Sequence, residues 1–118
     1  MRLHTFVIGL FLLAPVFAFS GISGTYRVSG IQPGATYGGT VVIERYNTVY
    51  KATWTDDDGE IERGTGVRKG DTISFVFKKG NMEAYGVQMY KISKHYLQGP
   101  WAWYGETWNG FEKLRKIK

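Results

Sequence analysis

Thr40-Val41-Val42-Ile43-Glu44-Arg45-Tyr46-Asn47-Thr48-Val49-Tyr50-Lys51-Ala52-Thr53-Trp54-Thr55 is the stretch that decides the fold. Val41 and Ile43 share one face of an extended chain, and Tyr50, Ala52 and Trp54 share one face of the next. That period of two belongs to a half-buried strand, not to a helix. Asn47 between them tolerates the left-handed backbone of a tight turn. A connection this short makes the two strands antiparallel.

The same pattern extends in both directions. From Gly24 onwards no run of ten or more residues carries apolar positions at helical spacing. Strands are predicted at residues 25–29, 40–46, 49–55, 61–68, 72–78, 85–93, 96–103 and 107–114, with turn signals at Asp58-Gly59, Gly70, Gly80-Asn81 and Gly105. Eight antiparallel strands in chain order make an up-and-down meander, and closing it removes the exposed edges that invite aggregation. The expected fold is therefore all-β: an eight-stranded antiparallel up-and-down barrel, calycin-like, with a flattened sandwich as the alternative. Alternation assigns Tyr26, Val28, Val41, Ile43, Tyr50, Ala52, Trp54, Ile73, Phe75, Phe77, Leu97, Trp101 and Trp103 to the interior. Two strands resist assignment. In 61–68 both faces carry charge, and Gly64 and Gly66 are expected to turn inward; in 85–93 Val87 and Met89 compete with Tyr90 and Ile92.

Length and composition set the boundaries. A chain of 118 residues holds one domain, and 16% aromatic residues argue against disorder, while 21% charged residues and a mean hydropathy of -0.24 argue against a polytopic membrane protein. Met1-Arg2-Leu3-His4 followed by the uncharged apolar run Phe6–Ala14 reads as a secretory signal peptide. Cleavage after Ala18 or Ser20 satisfies the small-residue rule, giving a signal at 1–20 and a barrel domain at 21–118 with no membrane span left after cleavage; a retained anchor is the competing reading. The expected location is periplasmic or extracellular. Without the signal the formal charge is +4, Arg2 being its one charge, and His95 is the remaining histidine.

Chemistry-bearing residues are few. The chain has no cysteine, which removes disulfides, thiolate metal sites and a thiol nucleophile. A lone histidine at a hairpin tip is usually solvated, so an enzyme is not expected. Glu106 and Glu112 have even spacing on the last strand and are expected to be solvent-facing or ion-paired. Asp56-Asp57-Asp58-Gly59-Glu60 lacks the alternation of a calcium loop and reads as a polar hairpin tip; no metal or cofactor is expected. Lys113, Arg115, Lys116 and Lys118 form a basic tail open to acidic glycans or lipid, with a frayed terminus as the bland alternative and nucleic acid excluded by export.

The aromatic set is the richest constellation. Trp101 and Trp103 share a face, and Trp54 and Tyr50 project into the same interior from another strand, which makes these four the candidate residues for a small apolar ligand. An eight-stranded barrel is the size at which side chains just fill the interior or leave room for one small ligand. Strands of seven or eight residues favour a filled one. Trp108 is a candidate rim aromatic, and with His95, Lys113, Arg115 and Lys116 it makes a candidate surface for a protein or glycan partner.

The order Gly24-Thr25-Tyr26-x-Val28-x-Gly30, Pro33-Gly34-x-x-Tyr37-x-Gly39-x-Val41-x-Ile43, Tyr50-x-x-x-Trp54, Gly64-x-Gly66, Gly86-Val87-x-x-Tyr90-x-Ile92, Leu97-x-Gly99-x-Trp101 and Gly110-x-Glu112-x-Leu114 resembles a family of small exported bacterial proteins often labelled fibronectin-binding-like. The resemblance spans nearly the whole domain and implies a secreted all-β barrel, distantly like avidins and lipocalins, with no functional residues to carry over. Lys94-His95, where the family usually has an Asp-Gly-like turn, and the acidic Asp56-Asp57-Asp58 depart from its pattern. The expected function is an exported, non-catalytic binding module that meets a protein or matrix ligand through loop tips and rim. The alternative is a small-molecule barrel with an aromatic pocket.

Overall fold

The quoted stretch folds as an antiparallel hairpin, Tyr46 facing Val49 across a two-residue loop in which Asn47 takes φ 60°. Asparagine tolerates that left-handed conformation better than other side chains, so the turn is encoded locally. The computed structural model describes residues 21–81 and 83–118; the expected signal segment at 1–20 lies outside the described residues. Among the described residues there is no helix, and hence none long and apolar enough to cross a membrane.

Eight strands follow in order: β1 Gly24–Gln32, β2 Ala35–Tyr46, β3 Val49–Asp56, β4 Ile61–Lys69, β5 Thr72–Lys79, β6 Tyr85–Ile92, β7 Tyr96–Trp103 and β8 Gly110–Lys116. Each pairs antiparallel with the next, and β8 pairs back onto β1 from Tyr26↔Lys116 to Ile31↔Phe111, closing the barrel. The predicted eight-stranded up-and-down architecture is thus observed, and the sandwich is excluded. Closure also revises the C-terminus. The last strand runs to Lys116 instead of Leu114, and Thr25 N–H donates to the Lys118 carbonyl at 2.6 Å. The basic segment is accordingly part of the sheet rather than a frayed tail, since pairing with β1 satisfies its backbone groups.

The residues assigned inward are buried, Trp103 only partly. In β4, Gly64 and Gly66 turn inward opposite Phe77 and Phe75 on β5. A Cβ on Gly66 would meet the Phe75 ring at 2.6 Å, so glycine is what lets that ring lie against the wall. In β6 the face with Gly86, Gln88 and Tyr90 is inside, and Val87 and Met89 are exposed at 59% and 48%. The interior position of Gln88 has a backbone reason. Pro100 on β7 has no N–H for the β6–β7 ladder, and the Gln88 amide donates to the carbonyls of Met89 (3.0 Å), Gly99 (3.2 Å) and Pro100 (3.1 Å).

Beside this patch the two strands approach closely, and a Cβ on Gly99 would overlap the Met89 carbonyl. Gly99→Ala is expected to cost about 2–3 kcal/mol, because backbone rather than a pliable side chain must move. Urea unfolding of the variant beside Gly21→Ala, whose Cβ would meet no atom nearer than 3.8 Å and whose backbone is not left-handed, measures it. A loss at Gly99 no larger than at Gly21 would contradict the packing account.

Candidate functional site

Up-and-down topology sends alternate loops to opposite ends, and the two ends differ. At one end the β1–β2, β3–β4, β5–β6 and β7–β8 connections surround a cavity of about 360 Å³ that enters the barrel. Its walls are Tyr37, Trp54, Phe77, Trp101, Trp103 and Trp108. At the other end Tyr26, Ile43, Tyr50, Ile73, Leu97 and Leu114 are buried and fill the interior. The expectation of a filled barrel is therefore corrected for half its length. It rested on strands of seven or eight residues, whereas β1 has 9 and β2 has 12, and the added length continues the wall past the packed layers.

The rings form one chain, edge-to-face throughout except for a tilted contact between Phe77 and Trp54. Trp101 meets Tyr37 at 6.1 Å, Trp108 at 5.7 Å and Trp103 at 6.3 Å between centroids; Trp103 meets Phe77 at 5.1 Å, and Phe77 meets Trp54 at 5.7 Å. Such pairs add about 0.5–1.5 kcal/mol each beyond burial and hold the walls in fixed orientations.

At the bottom of the cavity lies Glu112, 5% exposed. Tyr37 Oη–H donates to its Oε1 at 2.8 Å, Trp54 Nε1–H to its Oε2 at 3.0 Å, and Tyr90 Oη–H also to Oε2. The expectation that this carboxylate faces solvent or an ion pair is corrected. On β8, Gly110, Glu112 and Leu114 alternate inward, and Glu106 is an exposed turn residue outside the strand. Burial raises the Glu112 pKa, opposed by the bonds from Tyr90, Tyr37 and Trp54. Burial and then the Glu112 charge push Tyr37 and Tyr90 far up, so both remain donors at any physiological pH. Trp101 Nε1–H, close to the Tyr37 hydroxyl, is buried with no acceptor at bonding geometry. A donor left so costs about 1–3 kcal/mol.

The rim is acidic. Asp56 Oδ1 accepts from the amides of Asp58 and Glu60, both at 2.9 Å, and so shapes the β3–β4 loop. Asp57 pairs with Arg27 at 3.2 Å and Glu60 with Lys79 at 2.5 Å. Glu62, half-buried on the inward face of β4, has no such partner among the described residues. Its pKa is pushed up to about 7, by burial first, with Lys79 opposing and Glu112, Asp56 and Glu60 reinforcing.

The opposite mouth is basic, bordered by Arg45, Arg68, Lys94, His95, Arg115 and Lys116. Tyr26 beneath it donates to the Ile22 carbonyl at 2.6 Å, and burial lifts its pKa to about 12 against the lowering effect of Arg68. The structure thus divides the predicted site residues. Trp54, Trp101 and Trp103 line the cavity, joined by Trp108, but Tyr50 borders the basic mouth. His95 is exposed there with Arg115 and Lys116, and Lys113 lies outside the wall with Nζ 4.1 Å from the Tyr96 ring centroid. His95 and Trp108 therefore belong to different ends. Sequence reasoning missed Glu112, Glu62, Tyr37, Tyr90 and Gln88. Parity with Leu114 and Gly64 was the available signal for the two glutamates.

Glu62 sets a pH dependence. An unfolded glutamate titrates near 4.5 and the folded one near 7, so between these values the native state holds a proton that the unfolded chain has lost. Stability from this group is full below 4.5 and is lost as pH rises to about 7. Glu62→Gln should consequently gain in melting temperature relative to the parent as pH goes from 5 to 8; a difference flat across that range would rule the account out.

No family model matches the sequence, and no curated protein matches it. Among solved structures the barrel is similar to a chain described as a de novo design of a fluorescence-activating β-barrel, with a TM-score of 0.64, 16% identity, and coverage of 81% of this chain and 94% of that one. At that identity the likeness is one of fold.

Proposed function

We propose that the protein is an exported, non-catalytic binding barrel whose ligand is a small molecule seated in the aromatic cavity. One observation carries the reading: an eight-stranded barrel open at one end to about 360 Å³ and walled by four tryptophans, within the size range of small-ligand sites. The designed barrel of similar fold is described as fluorescence-activating, which agrees with such a use of this architecture. His95 stands at the far end from Glu112 and Glu62, which supports binding over acid–base catalysis. The apolar run near the N-terminus and the resemblance to exported fibronectin-binding-like proteins support secretion.

A protein or matrix ligand is the second reading. The outward residues Val67, Val76, Val87 and Met89, exposed between 48% and 63% on three consecutive strands, favour it.

A compound library read by melting temperature and tryptophan emission separates the two. A cavity ligand should shift emission in the parent and bind about tenfold more weakly to Trp108→Ala, which removes one wall and little of the core. If no compound raises the melting temperature, or if every hit binds Trp108→Ala unchanged while Val87→Lys abolishes it, the small-molecule reading fails.

A further inference from the structure

We infer that the cavity selects an organic cation, a protonated amine or quaternary ammonium carried on an apolar body. The inference rests on the small-molecule reading above and adds to it the charge of the ligand.

The aromatic walls alone fit any apolar molecule. Charge narrows the choice. Four acidic residues line the cavity, Asp56, Glu60, Glu62 and Glu112, against one base, Lys79. Lys79 is held by Glu60, and Asp56 is engaged by turn amides. Two carboxyl groups remain, Glu62 near the rim and Glu112 at the bottom, and neither has an ion-pair partner among the described residues. The arrangement runs against composition, since the chain carries +5 and its bases gather at the opposite mouth. An anion entering here would lose hydration and gain repulsion. A cation would meet the negative faces of several indoles on its way to a carboxylate, the combination that recognises ammonium groups.

Two further observations point the same way. Glu112 offers about four acceptor positions, of which Tyr37, Trp54 and Tyr90 take three, so a fixed carboxylate keeps capacity for one more donor. Trp101, 8% exposed and part of the same wall, brings an indole N–H with no acceptor. A ligand oxygen beside the ammonium would answer it.

The test is titration calorimetry at pH 8 and low salt with three molecules of nearly one shape: 2-phenylethylammonium, 2-phenylethanol and phenylacetate. The ammonium should bind at least about tenfold tighter than the alcohol, and phenylacetate most weakly. Glu112→Gln and Glu62→Gln should each narrow the gap between ammonium and alcohol without an equal loss of the alcohol; Glu62, away from the buried hydrogen bonds, keeps the test decisive if the first variant does not fold. Lowering the pH to 5.5 should weaken the ammonium alone, as Glu62, faced by Lys79, Glu60, Asp56 and Glu112, takes up a proton. Equal or tighter binding of the alcohol or the carboxylate overturns the cation inference and leaves the cavity reading standing. So does a gap unmoved by Glu62→Gln. Binding of none of the three, while a neutral compound from the library binds, overturns the inference too, whereas failure of every compound of any charge removes the cavity reading beneath it.

Discussion

A carboxylate taken out of water must be met by donors, and at Glu112 three strands other than its own supply them: Tyr37 from β2, Trp54 from β3 and Tyr90 from β6. These bonds cross the interior rather than run along the wall. They tie sheet segments that backbone pairing leaves separate, and they fix the ring planes of the residues that donate. Charge-assisted bonds of this kind are worth roughly twice a neutral one, and a half-satisfied network is costlier than an apolar core. The position of each ring therefore depends on the others being in place. The chain of ring contacts from Tyr37 through Trp101, Trp103 and Phe77 to Trp54 starts and ends on side chains that bond Glu112, so the cavity wall is a loop closed on its own floor.

How much of this the sequence discloses follows from which contacts are local. Asn47, the Gly70 turn and the alternation of Ile73, Phe75 and Phe77 are properties of neighbouring residues, and they yield strand order and barrel closure. Glu112 is different. A glutamate on a strand is by default solvated, and only partners distant in the chain, 75 residues away for Tyr37 and 58 for Trp54, reverse that default. Parity with Leu114 placed it inward, but hydropathy pulled the other way. For β6 the competing faces were balanced on hydrophobicity, and the deciding term was the donor missing at Pro100, which Gln88 replaces from within. Neither fact is visible until strands are in register.

The open and filled halves of the interior follow from residue size by level. Toward the basic mouth, Tyr26, Ile43, Ile73, Leu97 and Leu114 from β1, β2, β5, β7 and β8 converge into a packed layer beneath an open concavity. Toward the other mouth, Gly39, Gly64, Gly86 and Gly110 occupy inward positions, and a Cβ at Gly110 would strike the Trp101 indole. The glycines let large rings lie back against the backbone instead of meeting at the axis. Bulk that would have plugged the barrel lines it instead, and a high tryptophan content produces space rather than consuming it.

The separation of charge along the barrel axis gives that space a character of its own. A strand of eight residues spans about 26 Å, less when tilted, which still exceeds the Debye length of about 8 Å at physiological salt. Arg45, Arg68, Arg115 and Lys116 at one mouth are therefore largely screened from the rim acids Asp56 and Glu60 at the other, and the net charge of the chain does not by itself set the potential at the cavity entrance. Local groups set it. Walls built largely of aromatic rings carry few dipoles to oppose their field, and Lys79, the cation on the lining, is already bound to Glu60. A basic protein can in this way hold an acidic cavity without contradiction, its acids and bases gathered at opposite mouths of one barrel.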